Sequence, residues 1–91
     1  MKKVLIVEDE KSLATVISDS LKNEGFETVI AYRGDEAIDY FYKEKPDLIL
    51  LDINLPGMNG WEICKKLKAL SQIPIIMVTA RDSEFDEIKG L

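Results

Sequence analysis

The chain has no histidine and a single cysteine, Cys64. Without a second thiol there is no internal disulfide, and without histidine both Cys-His nucleophilic chemistry and the usual zinc sites are excluded. Any metal must therefore be held by oxygen, which points to Mg²⁺, Mn²⁺ or Ca²⁺. Long apolar runs are missing too. The longest are four residues, among them 4–7, 48–51 and 75–78, far short of the roughly 18 needed to span a bilayer. Met1 leads through Lys2 and Lys3 into a strand-like segment, with no apolar region or small-residue cleavage site of a signal peptide. A cytoplasmic location is the expectation. Basic charge is in short supply: 12 Lys and Arg against 17 Asp and Glu give a net charge of −5. A segment so charged is not expected to grip nucleic acid, which wants clustered cations. The one basic run, Lys65, Lys66 and Lys68, reads as the solvated face of a helix. There is no repeat, linker or low-complexity stretch. With 91 residues, 46% of them apolar, the chain has the composition and length of one folded domain.

What is present is an alternation of short apolar runs with amphipathic stretches. Val4-Leu5-Ile6-Val7 lacks polar alternation, as expected of a strand covered on both faces. Residues 11–23 carry Leu13, Ile17 and Leu21 at helical spacing, closed by Gly25. A more polar strand over residues 26–31 suits a sheet edge. Asp35 and Glu36 open a second helix, where acidic groups favour the positive end of the dipole. Its buried stripe is Ala37, Ile38 and Phe41, and Pro46 follows its end. Residues 48–51 form a third strand and 55–60 a loop rich in turn formers. A third helix with Ile63, Cys64, Leu67 and Leu70 inward follows, with Trp61 packed at its start. A fourth strand over 73–78 and a fourth helix near Ser83 complete a βαβαβαβα order. Such alternation implies an α/β fold, a doubly wound parallel sheet with helices on both faces. Ligands of such sheets bind beyond the carboxyl ends of the strands.

Those ends carry Glu8 and Asp9 after the first strand, Asp52 after the third and Thr79 after the fourth. If these three strands are neighbours, three carboxylates and a hydroxyl meet at one rim. Carboxylates so placed resist ionising unless a cation shares the site, and a hard divalent ion such as Mg²⁺ resolves the conflict while leaving room for a phosphoryl oxygen. Each feature alone has a plainer explanation, since acidic pairs cap helices and strand-end aspartates start turns. Their coincidence at one crevice favours function.

Val-Glu-Asp-Glu at 7–10, Leu-Leu-Asp-Ile-Asn-Leu-Pro-Gly-Met-Asn-Gly at 50–60 and Val-Thr-Ala-Arg at 78–81 resemble the receiver domain of two-component response regulators over the whole chain. The resemblance implies a flavodoxin-like fold with strand order 2-1-3-4-5. It implies that Asp52 accepts a phosphoryl group from a phosphohistidine on a sensor histidine kinase or phosphotransfer protein. Mg²⁺ would be bound by Asp9, Asp52 and the Asn54 backbone carbonyl, with Glu8 acting through a water. Thr79 would be the switch hydroxyl that turns toward the phosphoryl group, and Ala80 the small residue that leaves it access. The domain would regulate rather than act as an enzyme, beyond catalysing its own phosphorylation and dephosphorylation. The 52–62 segment resembles receivers joined to DNA-binding domains, implying control of transcription by the parent protein.

Two departures stand out. Glu8 occupies a position where Asp is commoner. The fifth strand and fifth helix of the family, with the lysine that contacts the phosphoryl group, have no counterpart up to Leu91, so the 1–91 domain reads as incomplete and no lysine here takes that role. The 73–78 strand would then be an apolar edge open to homodimerisation or segment exchange. Other readings are a pure interaction module without phosphorylation, a phosphatase of the haloacid dehalogenase type, and a flavin or nucleotide module. The phosphatase would want an Asp at position 54, where Asn stands. No glycine-rich phosphate loop supports the nucleotide module.

Overall fold

Hydrophobic strands of four or five residues build the centre of the molecule, and amphipathic helices cover them. The computed structural model describes residues 2–52 and 60–78. In chain order the elements are β1 (Lys3–Val7), α1 (Lys11–Asn23), β2 (Glu27–Ala31), α2 (Gly34–Glu44), β3 (Leu48–Asp52), α3 (Gly60–Leu70) and β4 (Ile75–Val78). The sheet is parallel throughout, in the order β2-β1-β3-β4. This is the expected doubly wound, flavodoxin-like arrangement, with β2 at an edge. The fourth helix expected near Ser83 and the loop residues 55–59 lie outside the described residues.

β1 is central, and Val4, Leu5, Ile6 and Val7 are all buried. Leu5 and Val7 join Ile49, Leu51, Ala37, Ile63, Leu67 and Met77 in the core under α2 and α3. Val4 and Ile6, pointing to the opposite face by the two-residue period of a strand, are buried on the side of α1. Burying one such Val, Leu or Ile side chain is worth about 1.5–3 kcal/mol, so β1 alone contributes a large share of the driving force.

The helix stripes differ in detail from expectation. In α1 the fully buried residues are Ala14 and Ser18, while Leu13, Ile17 and Leu21 are half-buried. Small side chains at i and i+4 let the helix approach the sheet closely, and the larger residues flank that line. Ser18 Oγ and Thr28 Oγ1 are hydrogen-bonded at 2.6 Å, which satisfies the buried hydroxyl and ties α1 to edge strand β2. In α3, Ile63 and Leu67 are buried as expected. Cys64 is half-buried, and Leu70 is 45% and Trp61 50% exposed. Leu70 is the last residue of α3 and Trp61 its second. Gly60, expected in the loop, is the buried first residue of α3.

Two left-handed residues end helices. Gly25 has φ +95°, the conformation glycine adopts without strain. Lys45, with φ 50° and ψ 61°, caps α2 and donates its N–H to the Phe41 carbonyl at 3.2 Å. Among the described residues no helix is long and apolar enough to cross a membrane.

Candidate functional site

The site grows from strand register. β1 and β3 pair Val4 with Leu48 through to Val7 with Leu51. One step further along the same register brings Glu8 beside Asp52, which closes β3 opposite Val78 of β4. On the other side, the Glu8 N–H continues the ladder by donating to the Ala31 carbonyl of β2 at 3.0 Å. Asp9 follows at the turn into α1. The carboxylates of Glu8, Asp9 and Asp52 converge, with one oxygen of each within 4.8 Å of the others.

Their environments differ. Asp52 is 2% and Glu8 3% exposed, whereas Asp9 is open to solvent. Burial pushes the Glu8 carboxyl up from 4.5 to about 7; the Glu10 N–H, donated to Glu8 Oε2 at 3.0 Å, works against this, and the neighbouring Asp52 and Asp9 add to it. At the separation of these oxygens, each pair of unit charges repels by about 1 kcal/mol in bulk water and about 4 kcal/mol near a protein surface. A divalent cation would remove that repulsion. All the donors are hard carboxylate oxygens, a set that suits Mg²⁺, Mn²⁺ or Ca²⁺ and disfavours softer ions.

Of the residues singled out from sequence, Glu8, Asp9 and Asp52 are brought together. Asn54, Thr79 and Ala80 lie outside the described residues. The burial of Glu8 is a feature that the sequence pattern does not announce. Glu8 directly follows the buried run Val4, Leu5, Ile6 and Val7. A second group not singled out lies on the β2 side of this rim. Tyr32 follows Ala31 and donates its N–H to Glu36 Oε1 at 3.1 Å, and the Lys11 ammonium sits 5.6 Å from the centre of its ring.

A family model for the response regulator receiver domain matches residues 4–91. Among solved structures, the chain is similar to the BeF3-activated N-terminal receiver domain of RstA from Klebsiella pneumoniae. That match has 39% identity and a TM-score of 0.86, and covers 97% of this chain and 75% of the other. It is also similar to the response regulator TrrA from Thermotoga maritima in complex with Mg²⁺-BeF, at 32% identity and TM-score 0.85 over 96% of this chain and 76% of the other. A Francisella response regulator receiver domain matches at 31% identity and TM-score 0.83, covering 99% of this chain and 75% of its own. Strand order, a buried strand-end aspartate in a carboxylate cluster and a family match from the first strand onward therefore agree: the chain belongs to the response regulator receiver domains, the phosphoacceptor domains of two-component signalling.

Proposed function

We propose that Asp52 is the phosphoacceptor of this domain and that the phosphoryl group comes from a phosphohistidine on a sensor histidine kinase or a phosphotransfer protein. The observation that carries the reading is the buried Asp52 carboxylate at the end of the sheet strand β3, clustered with Glu8 and Asp9. In the transfer an Asp52 oxygen attacks phosphorus and forms the acyl phosphate bond. The phosphorus–nitrogen bond breaks, and its electron pair returns to the imidazole, which takes up a proton. What such a reaction asks of the protein is positioning and charge compensation.

Asp9, Asp52 and the Asn54 carbonyl would hold Mg²⁺, with Glu8 supporting through a water. When bound, the ion supplies positive charge that offsets the negative charge gathered on the carboxylates and the phosphoryl oxygens. The Mg²⁺ carried by the similar TrrA complex supports the same choice of ion. Thr79 would contact the phosphoryl group and bias two states of the domain, and Ala80 would keep the approach open. The domain would promote its own phosphorylation and dephosphorylation and no other reaction. In the parent protein it would control a DNA-binding effector and act in the cytoplasm, and the 73–78 edge would support self-association.

The test is intact mass after incubation with phosphoramidate, with and without Mg²⁺. A gain of one phosphoryl group that requires Mg²⁺ and disappears in Asp52→Asn is expected. A gain that persists in Asp52→Asn would place the acceptor elsewhere.

A further inference from the structure

The site gathers negative charge, yet its donor is an anion. Glu8, Asp9, Glu10 and Asp52 all lie at this end of β1 and β3, so an incoming phosphoryl group meets repulsion before it meets its acceptor. Of the described cations near this rim, Arg33 is committed, its guanidinium donating to both Asp35 oxygens at 3.1 and 3.2 Å. Lys11 forms no ion pair among the described residues. It opens α1 three residues after Glu8, and its ammonium rests on the Tyr32 ring. Tyr32 is held in turn: its N–H is donated to Glu36, and the preceding residue, Ala31, accepts the Glu8 N–H. A lysine on a stem of four carbons, resting by a weak cation–π contact on a fixed ring, keeps its charge at the rim and stays free to turn outward.

We propose that Lys11, perched on Tyr32 beside the Glu8–Asp9–Asp52 cluster, steers the anionic phosphoryl donor toward Asp52. The inference rests on Asp52 being the phosphoacceptor. It concerns the approach of the donor and not the bond-making step, so Lys11 is a steering residue and touches no reacting atom in the ground state. A charge in this place acts in two opposite senses. It attracts a phosphate donor, and it opposes a metal cation bound at the same cluster. That reciprocity separates a charge effect from a structural one.

The experiment measures the second-order rate constant of phosphorylation by acetyl phosphate at saturating Mg²⁺, in wild type, Lys11→Gln, Lys11→Arg, Tyr32→Phe and Tyr32→Leu. Lys11 is exposed, so its variants keep the fold. One unit charge facing a dianion through surface water changes the encounter by about fivefold. Lys11→Gln should therefore be slower by about that factor at an ionic strength of about 0.02 M, and the difference should collapse at about 0.5 M, where the Debye length is only a few ångströms. Lys11→Arg and Tyr32→Phe should behave as wild type, and Tyr32→Leu should fall between. In calorimetry, Lys11→Gln should bind Mg²⁺ more tightly than wild type. Equal rates for wild type and Lys11→Gln at low salt would overturn the assignment, as would a slowing that persists at high salt. A wild-type chain that gains no phosphoryl group would instead overturn the phosphoacceptor reading, and the steering role with it.

Discussion

Replacing Glu8 with glutamine should flatten the pH dependence of folding stability in metal-free buffer. In the folded chain the Glu8 carboxyl titrates near 7 against an ordinary 4.5, so between those values the folded state keeps a proton that the unfolded state has released. Stability from this group is fully present below 4.5 and is lost as pH rises through 7. The difference between 4.5 and about 7 corresponds to about 3 kcal/mol over the whole range. Most of that falls between pH 5 and 8, a large part of the roughly 5–15 kcal/mol typical of a small domain. No histidine titrates in this window. Glutamine keeps a carbonyl oxygen for the Glu10 N–H and cannot ionise. Urea denaturation with a chelator at pH 5, 6, 7 and 8 measures the effect, with the m-value confirming that compactness is unchanged. Wild type should lose about 2–3 kcal/mol across this range and Glu8→Gln little of it. Parallel curves for the two proteins would refute the argument that buried Glu8 carries the proton. Mg²⁺ at millimolar concentration should restore wild-type stability at pH 8, since it binds the ionised cluster of the folded state only.

Two further outcomes test the fold. Lys45→Gly should stabilise by about 1 kcal/mol, because a side chain at φ 50° is strained where glycine is not; Gly25→Ala at φ +95° should destabilise by about 1–2 kcal/mol from conformation alone, since an added Cβ meets nothing within 4 Å. Both are read by urea denaturation. If the β4 edge supports association, light scattering should show mass rising with concentration, and Ile76→Lys, at a residue 48% exposed, should return it to the monomer value.

Much of this was legible in the residues. The apolar runs 4–7, 48–51 and 75–78 became β1, β3 and β4; central β1 is covered on both faces and has no use for polar alternation, whereas Ile76 of the edge strand β4 is 48% exposed. Residues 11–23 became α1 with the expected bounds, since Gly25 and the strand of residues 27–31 leave the helix nowhere to continue. The acidic cluster was legible because parallel pairing of like strands places their ends side by side. Other details were not. That Ala14 and Ser18, not the leucines, lie closest to the sheet depends on how near the helix axis sits, which no spacing of apolar residues encodes. Leu70 falls on the inward side of an ideal helix with Ile63 and Leu67 but is the last residue of α3 and is exposed, whereas Trp61, about 160° around the helix from Ile63, lies away from that side. The burial of Glu8 follows from the ladder running one residue past the apolar run, on to the Ala31 carbonyl.

The pairing of β1 with β3 also governs when the site can exist during synthesis. Glu8 and Asp52 are separated by 52 − 8 = 44 positions, with β2, α1 and α2 all intervening. A chain emerging from the ribosome displays Glu8 and Asp9 long before their partner, and until β3 docks against β1 the carboxylates are dispersed and weakly attractive to metal. Loop closure over that separation is an entropic cost met only when the central strands join. The cluster thus cannot form before the central strands pair, and tight divalent-ion binding by a nascent or partly unfolded chain would be visible only after the third strand has left the exit tunnel and found the first.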